Sequence, residues 1–366
     1  MANVRSRSGS GAADRVLLVG MARLNMQSST DITNAILHAL RREAGVDDLK
    51  FRGDPERVLG GNETTIFRFA LDVPDDHGFA GALIARIYFE TRNPLQHRIE
   101  AQVHSTLRAR GYPVPAVRFV SDGDGLGAPW ILMDKLPGAM LGSEALEMPW
   151  GIVRFRDALH AVPRKLAELH LQLHGVSPEV LEEELAALVG EAAPFTPAGQ
   201  IRNARRWIGE AADMSEALQI MEEKLPPTRR AVVCHGDFHP LNVLGDVEHG
   251  HGVIDWGKIC FADREFDVGS TLAILELTSL NLPPVIRRIG EWVKFKMGAR
   301  YIDAYARGGH ALDSAEIRYY YTLRALLELI YARSHAVPEL GDIGGWNMPR
   351  LLEVVREFTG VRIGAS

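Results

Sequence analysis

Cysteine is almost missing from this chain of 366 residues: Cys234 and Cys260 are the two it has, too few for a disulfide framework and in keeping with a reducing compartment. Long apolar runs are missing as well. Val16–Val19 is too short for a membrane span, and Arg23 soon interrupts its apolar character. There is no basic excess: 41 Lys and Arg against 47 Asp and Glu leave a net charge of −6, whereas binding a nucleic-acid backbone calls for a concentrated positive surface. Gly-x-x-x-x-Gly-Lys-Ser/Thr and Gly-x-Ser-x-Gly are absent, and Gly60–Thr65 is not the dinucleotide fingerprint, which argues against a Walker-type nucleotide site, a serine hydrolase and a dinucleotide site at that loop. These absences predict a soluble, cytoplasmic protein with no nucleic-acid or membrane partner; a monomer or homodimer is expected.

What is present is a globular composition, 46% hydrophobic with 35 glycines and 19 prolines, on a chain long enough for two domains. Residues 1–27 are polar and rich in Gly, Ser and Arg, and read as a flexible tail. Ile32, Ile36, Leu37 and Leu40 recur at helical spacing behind the capping run Ser28–Asp31. Strand-like runs follow at 51–59, 66–71, 79–89 and 116–120, with a helix from about Leu95 to Arg110 and, over 130–138, a last strand running into a turn. Residues 28–135 thus form a small, strand-rich lobe, and residues 136–366 a larger, mainly helical one. In the latter we expect helices at 155–174, 180–189, 202–210, 214–224, 270–280, 314–331 and 348–358, and a long one over 285–307 in more than one piece.

Within the first lobe, Gly60-Gly61-Asn62-Glu63-Thr64-Thr65 joins two strands. It is either an ordinary hairpin turn or a loop whose amides close over a phosphate. Arg86 on its strand is either a solvated residue or a planar fork for phosphate oxygens. Glu100 faces the strands and needs a partner, which Arg86 can be.

The densest chemistry lies at Val232–Asp267. An apolar run leads into His235-Gly236-Asp237-Phe238-His239-Pro240-Leu241-Asn242, and a second ends in Asp255-Trp256. The polar turn Gly245–Gly250 between them predicts a hairpin that brings Asp237, Asn242 and Asp255 together. Two carboxylates and an amide oxygen can hold a hard cation beside phosphates, with Asp237 placed to accept a hydroxyl proton. His170 and His174, one helical turn apart, could be half a zinc site, but no Glu lies between them and a core or capping role is expected. Cys234, His235, His239, His249, His251 and Cys260 fit no compact zinc spacing.

These residues resemble the aminoglycoside phosphotransferase and choline kinase family, small-molecule kinases built like protein kinases. The family's His-Gly-Asp-x-His-x-x-Asn motif is met by His235, Gly236, Asp237, His239 and Asn242, and its Ile-Asp-Trp step by Ile254-Asp255-Trp256. The resemblance runs from about Leu59 to Tyr331 and implies an α+β, protein-kinase-like fold. It also implies transfer of a phosphoryl group from ATP or GTP, with Mg²⁺, to a hydroxyl of a small molecule such as a sugar, an amino alcohol or an antibiotic-like acceptor. It casts Asp237 as the base and Asn242 and Asp255 as the magnesium ligands, with Asp267 and His235 bracing the loop. Gly60, Gly61, Asn62 and Thr64 become the phosphate-covering loop, Arg86 and Glu100 the cation and its helix partner, and Met133–Leu136, Lys135 included, the adenine-holding hinge. Arg86 departs from the lysine that many relatives use. The alternative is a non-catalytic nucleotide- or metabolite-binding module on the same fold. Basic and aromatic stretches after Asp267 argue against a polycationic acceptor.

Overall fold

The computed structural model describes residues 29–58, 64–89, 93–123, 126–143, 151–190, 193–209, 211–279, 284–335 and 345–364. The expected tail at 1–27 and the glycine loop at Gly60, Gly61 and Asn62 lie outside them. The chain divides into two compact units, one of residues up to Ser105 together with Pro115–Leu136, the other of Thr106–Val114 and Pro137–Ser366.

The first unit is a five-stranded antiparallel sheet in the order β1-β2-β3-β5-β4. Its strands are β1 (Glu56–Val58), β2 (Thr64–Ala70), β3 (Ala82–Tyr88), β4 (Val117–Ser121) and β5 (Trp130–Asp134). Alternation sorts β3 into two faces. Leu83, Ala85 and Ile87 are fully buried and join Phe67, Trp130, Leu132 and the apolar stripe Ile36 and Leu40 of α1 (Ser29–Ala44) in one core. Ile84, Arg86 and Tyr88 take the opposite face, where Tyr88 packs with Ile131, Met133 and Ala101 of α2 (Gln96–Ala109). The register sets Arg86 opposite Ile131 and Ile84 opposite Met133. Thr64 opens β2, paired with Tyr88.

The second unit is helical around two small sheets, one of β7 (Val232–Cys234) with β10 (Cys260–Ala262), the other ordered β6-β8-β9 from Ala139–Met140, Val243–Asp246 and Gly250–Val253. Its helices are α3 (Gly151–His174), α4 (Glu179–Val189), α5 (Pro197–Arg205), α6 (Ala212–Glu223), α7 (Arg264–Leu277), α8 (Pro284–Ala306), α9 (Ser314–His335) and α10 (Met348–Thr359). Phe266, Ala273 and Leu277 of α7 pack with Tyr320, Leu323 and Leu326 of α9 and with Leu351 and Val355 of α10. Gly269 makes the α7–α9 approach possible, because a Cβ there would lie 2.7 Å from the Ile317 carbonyl oxygen and 2.9 Å from the Tyr320 Cβ.

Three helices differ from the sequence reading. The one expected at 270–280 runs from Arg264 to Leu277, because its first turn carries Arg264, Glu265 and Asp267 and so falls outside the apolar run. The helix expected at 202–210 runs from Pro197 to Arg205, because the Thr196 hydroxyl accepts the Gly199 N–H and proline occupies the first helical turn, a start signal the apolar periodicity does not carry. Residues 284–306, expected in more than one piece, form a single helix. No helix among the described residues is long and apolar enough to cross a membrane.

Candidate functional site

The buried residues of β7 run straight into His235, and β10 lies antiparallel beside them with Cys234 opposite Cys260. Both cysteines are free and buried. Beyond β7 the chain turns through Gly236 at φ 74°. A side chain there would be strained twice over, since its Cβ would also stand 2.2 Å from the Lys258 carbonyl oxygen. Pro240–Asn242 makes one 3₁₀ turn and β8 begins directly after it.

The β8–β9 hairpin pairs Val243 with Val253, and the next rung is Ile254 N–H donating to the Asn242 carbonyl at 3.0 Å. Asn242 and Asp255 are thereby held at the same end of the hairpin. Asp255 has φ 67°, the one positive value for a non-glycine among the described residues, a backbone strain that Asp tolerates better than most residues. The Asn242 Nδ2 donates to the Asp237 carbonyl at 2.9 Å and to His239 Nε2 at 3.1 Å. Its nitrogen is spent on protein, so Oδ1 is the atom left for a ligand.

His235 ties the two halves of the site together. Its Nε2 donates to the Ile254 carbonyl at 3.0 Å and its Nδ1 accepts the Asp237 N–H at 3.2 Å, a pattern that only the neutral ring satisfies. Burial pushes its pKa down in the same direction, and does so for His239 too. The ring is wedged between Trp256 and Phe238.

Asp267, in the first turn of α7, sits fully buried beneath the loop. Its Oδ2 accepts the His235 N–H at 2.6 Å and its Oδ1 the Gly236 N–H at 2.8 Å. On the other side Oδ2 lies 2.7 Å from His170 Nε2 and 3.3 Å from His174 Nε2. The far nitrogens of these rings meet the hydroxyls of Tyr301 and Tyr305 on α8. Burial alone would raise the Asp267 carboxyl, but the two histidines outweigh it and hold the group well below the usual carboxylate range. His174 is pushed down to about 4, chiefly by burial. His170, His174 and Asp267 are close enough to be ligands of one ion. Asp267 is instead spent on backbone amides and His174, and both Nδ1 atoms on tyrosines, while His170 Nε2 faces Oδ2 at 2.7 Å as an ion-pair contact without hydrogen-bond geometry. This is a hydrogen-bonded pedestal, and the histidines have the core role that the sequence suggests.

Two residues that sequence reasoning did not single out, Arg324 and Lys258, converge on Asp237, with Glu328 behind them. Arg324 of α9 places Nη2 2.6 Å from Asp237 Oδ1 and Nη1 2.6 Å from the Gly236 carbonyl. Glu328, one turn on, accepts from Arg324 Nη2 and from Lys258 Nζ, both at 3.0 Å, and Lys258 Nζ is 3.8 Å from Asp237 Oδ1. Burial would raise the Asp237 carboxyl, yet Lys258 and Arg324 prevail and keep it far below its ordinary value. A hard cation needs oxygen donors, and Asn242 Oδ1 with the Asp255 carboxylate supplies them, whereas the imidazole-rich pedestal does not.

In the first unit Arg86 Nη1 lies 3.2 Å from Glu100 Oε2, to which Tyr88 donates at 2.7 Å. Glu100 is only 1% exposed. Met133 is buried in β5, and the Lys135 N–H donates to the Ala82 carbonyl at 2.8 Å. A separate cavity of about 460 Å³ on α3 and α8, lined by Asp157, His160, Arg164, Arg300 and Arg307, takes in none of these residues.

The aminoglycoside 3'-phosphotransferase of Streptomyces fradiae is 28% identical to the chain over 234 residues, 61% of this chain and 77% of that protein. Among solved structures, Plasmodium vivax ethanolamine kinase superposes with a TM-score of 0.55 at 11% identity, covering 97% of this chain and 95% of its own. A thermostable mutant of an aminoglycoside phosphotransferase, in ternary complex with AMP-PNP and hygromycin B, gives a TM-score of 0.54 at 16% identity over 89% of this chain and 99% of its own. At these identities the structural likeness is one of fold, and that fold is kinase-like, with an antiparallel sheet in the N-terminal part and a mainly helical C-terminal part. Residues 57–319 match the phosphotransferase enzyme family, and the chain belongs to it.

Proposed function

We propose that the protein is a small-molecule kinase that moves the γ-phosphoryl group of ATP to a hydroxyl of a small acceptor. The observation that carries this reading is the convergence of Asp237, Asn242 and Asp255, tied by the Ile254–Asn242 rung and by His235. Asp237 orients the acceptor hydroxyl and takes its proton as the new O–P bond forms and the bond from the γ-phosphorus to the bridging oxygen breaks, releasing ADP. A carboxylate held so far below its ordinary pKa is a weak base. It suits a loose transition state in which the proton leaves late and positioning does most of the work. Asn242 Oδ1 and the Asp255 carboxylate hold Mg²⁺, which when bound neutralises charge on the donor phosphates. Arg86, locked to Glu100, together with Gly60, Gly61, Asn62 and Thr64, is the phosphate-binding set of the first unit, and the Met133–Lys135 segment holds the base of ATP or GTP. The neighbour bound to AMP-PNP supports the choice of an adenine nucleotide.

The acceptor is not a polycation. A polycation needs carboxylates with charge to spare, and here Asp237 and Glu328 are already matched by Lys258 and Arg324. The test is to incubate the protein with ATP, Mg²⁺ and a panel of sugars, hydroxy acids, amino alcohols, macrolides and aminoglycosides, following phosphorylated products by mass spectrometry. We expect a product about 80 Da heavier, by the added HPO₃, from a member other than the aminoglycosides. Asp237→Asn should abolish it in a folded protein, and turnover unchanged in that variant refutes the mechanism. Thermal stabilisation by ATP without any product would point to a binding module instead.

A further inference from the structure

Every side-chain contact to Asp237 falls on one of its two oxygens. Arg324 Nη2 stands 2.6 Å from Oδ1 and Lys258 Nζ 3.8 Å from the same atom. Among the described residues no side chain donates to Oδ2, although the Asp237 side chain is 22% exposed. The Arg324 fork also grips the backbone that carries the carboxylate, because Nη1 takes the Gly236 carbonyl at 2.6 Å. Two bonds from one rigid plane, one to the main chain just before the residue and one to the end of its side chain, fix where the carboxylate points.

The guanidinium achieves this at a cost. It is only 6% exposed, and its Nε has no acceptor among the described residues. Burying a cation with one donor unmet is unfavourable unless the remaining contacts matter. Glu328 balances the charge from the next turn of α9 and holds Lys258 by the same oxygen, while the Trp346 ring lies 5.5 Å from the guanidinium carbon.

We propose that Arg324, braced by Glu328, is a positioning residue for phosphoryl transfer, holding Oδ1 of Asp237 so that Oδ2 faces the acceptor hydroxyl. The inference rests on the kinase reading above and adds to it the residue that aims the base. An ammonium in place of the guanidinium reaches either the carbonyl or the carboxylate, so lysine restores charge without restoring direction.

The experiment measures steady-state turnover of the full chain with ATP and Mg²⁺, with water as the acceptor and phosphate release as the signal, alongside AMP-PNP affinity and thermal melting. Arg324→Met is expected to lower kcat by about 100-fold, the order that misplacement of a catalytic group costs, while the Kd for AMP-PNP stays within about twofold because ground-state binding is untouched. Arg324→Lys should recover only part of kcat, and added guanidinium should raise turnover of folded Arg324→Ala. Arg318→Met, on the exposed side of α9, serves as the control. Where Arg324→Met does not fold, the Arg324→Lys and Glu328→Gln variants carry the test. Wild-type kcat in Arg324→Met, full recovery in Arg324→Lys, or a loss that appears equally in AMP-PNP affinity overturns the positioning role alone. A wild-type protein that neither releases phosphate nor phosphorylates any member of the acceptor panel overturns the kinase reading and this role with it.

Discussion

Replacing Asp267 by Asn changes one atom and should destabilise the second unit by several kcal/mol. The carboxylate accepts the Gly236 N–H on Oδ1, and on Oδ2 it accepts the His235 N–H and faces both imidazole Nε2 atoms. An amide has one oxygen. Turned so that its oxygen serves the crowded side, it points –NH₂ at the Gly236 N–H and leaves two buried donors unmet. Turned the other way, it opposes three donors. The first arrangement is cheaper, and at about 1–3 kcal/mol for each unmet buried donor it costs about 2–6 kcal/mol. For a unit of this size each kcal/mol moves Tm by about 2–4 °C, so a central value of ~4 kcal/mol corresponds to a fall of about 8–16 °C. Differential scanning calorimetry at neutral pH reads this directly, and kcat should fall with it because the loop carrying Asp237 loses its anchor. A Tm within about 1 °C of wild type would show that Asp267 is not holding the loop, and would refute the pedestal as described.

Other consequences can be checked independently. Arg86→Met removes the cation beside the buried Glu100 carboxylate and should cost the first unit about 3–5 kcal/mol in urea denaturation, whereas Glu100→Gln, which keeps a partner for the Tyr88 hydroxyl, should cost clearly less; the reverse order refutes the pairing. Gly236→Ala should abolish turnover and lower Tm, given its positive φ and the 2.2 Å approach to the Lys258 carbonyl; a wild-type melt would contradict that geometry. Burial pushes His174 down to about 4 in the folded chain from its ordinary value of about 6.5, so between those pH values the unfolded chain binds the extra proton and stability falls as pH drops. The depressed Asp267 carboxyl continues the loss below about pH 4, the ordinary range of an unfolded aspartate. The urea midpoint should therefore decline steadily from about pH 6.5 downward, and His174→Asn should show a shallower decline; an unchanged slope would remove His174 from the pedestal.

The parts of the site readable from sequence are those whose partners lie within one hairpin. Asp237, Asn242 and Asp255 are brought together by a turn and two short strands, and turn residues with flanking apolar runs announce such a unit. The clamp on Asp237 was not readable. Arg324 meets it across 87 residues of chain and Glu328 meets Lys258 across 70. On α9, Arg324 and Glu328 look like an ordinary exposed pair one turn apart, and nothing local marks them as buried. The same holds for His170 and His174, whose spacing was plain while their common partner, Asp267, stands 93 residues beyond His174. Helix starts were lost for a different reason. Thr196 and Pro197 are capping chemistry outside the apolar period, and a reading led by periodicity enters the helix too late.

The close approach at Gly269 has a consequence for how the site fails. Asp267 belongs to α7 and Arg324 to α9, and both grip the short segment that bears Asp237, one by its amides and one by its carbonyl and carboxylate. The spacing of these two helices is therefore a mechanical setting of the Asp237 loop. Gly269→Ala would push a methyl group against the Ile317 carbonyl and the Tyr320 Cβ, adding nothing to the site and removing nothing from it. It would draw the two grips apart, so that a residue with no chemistry of its own governs the aim of the one that has.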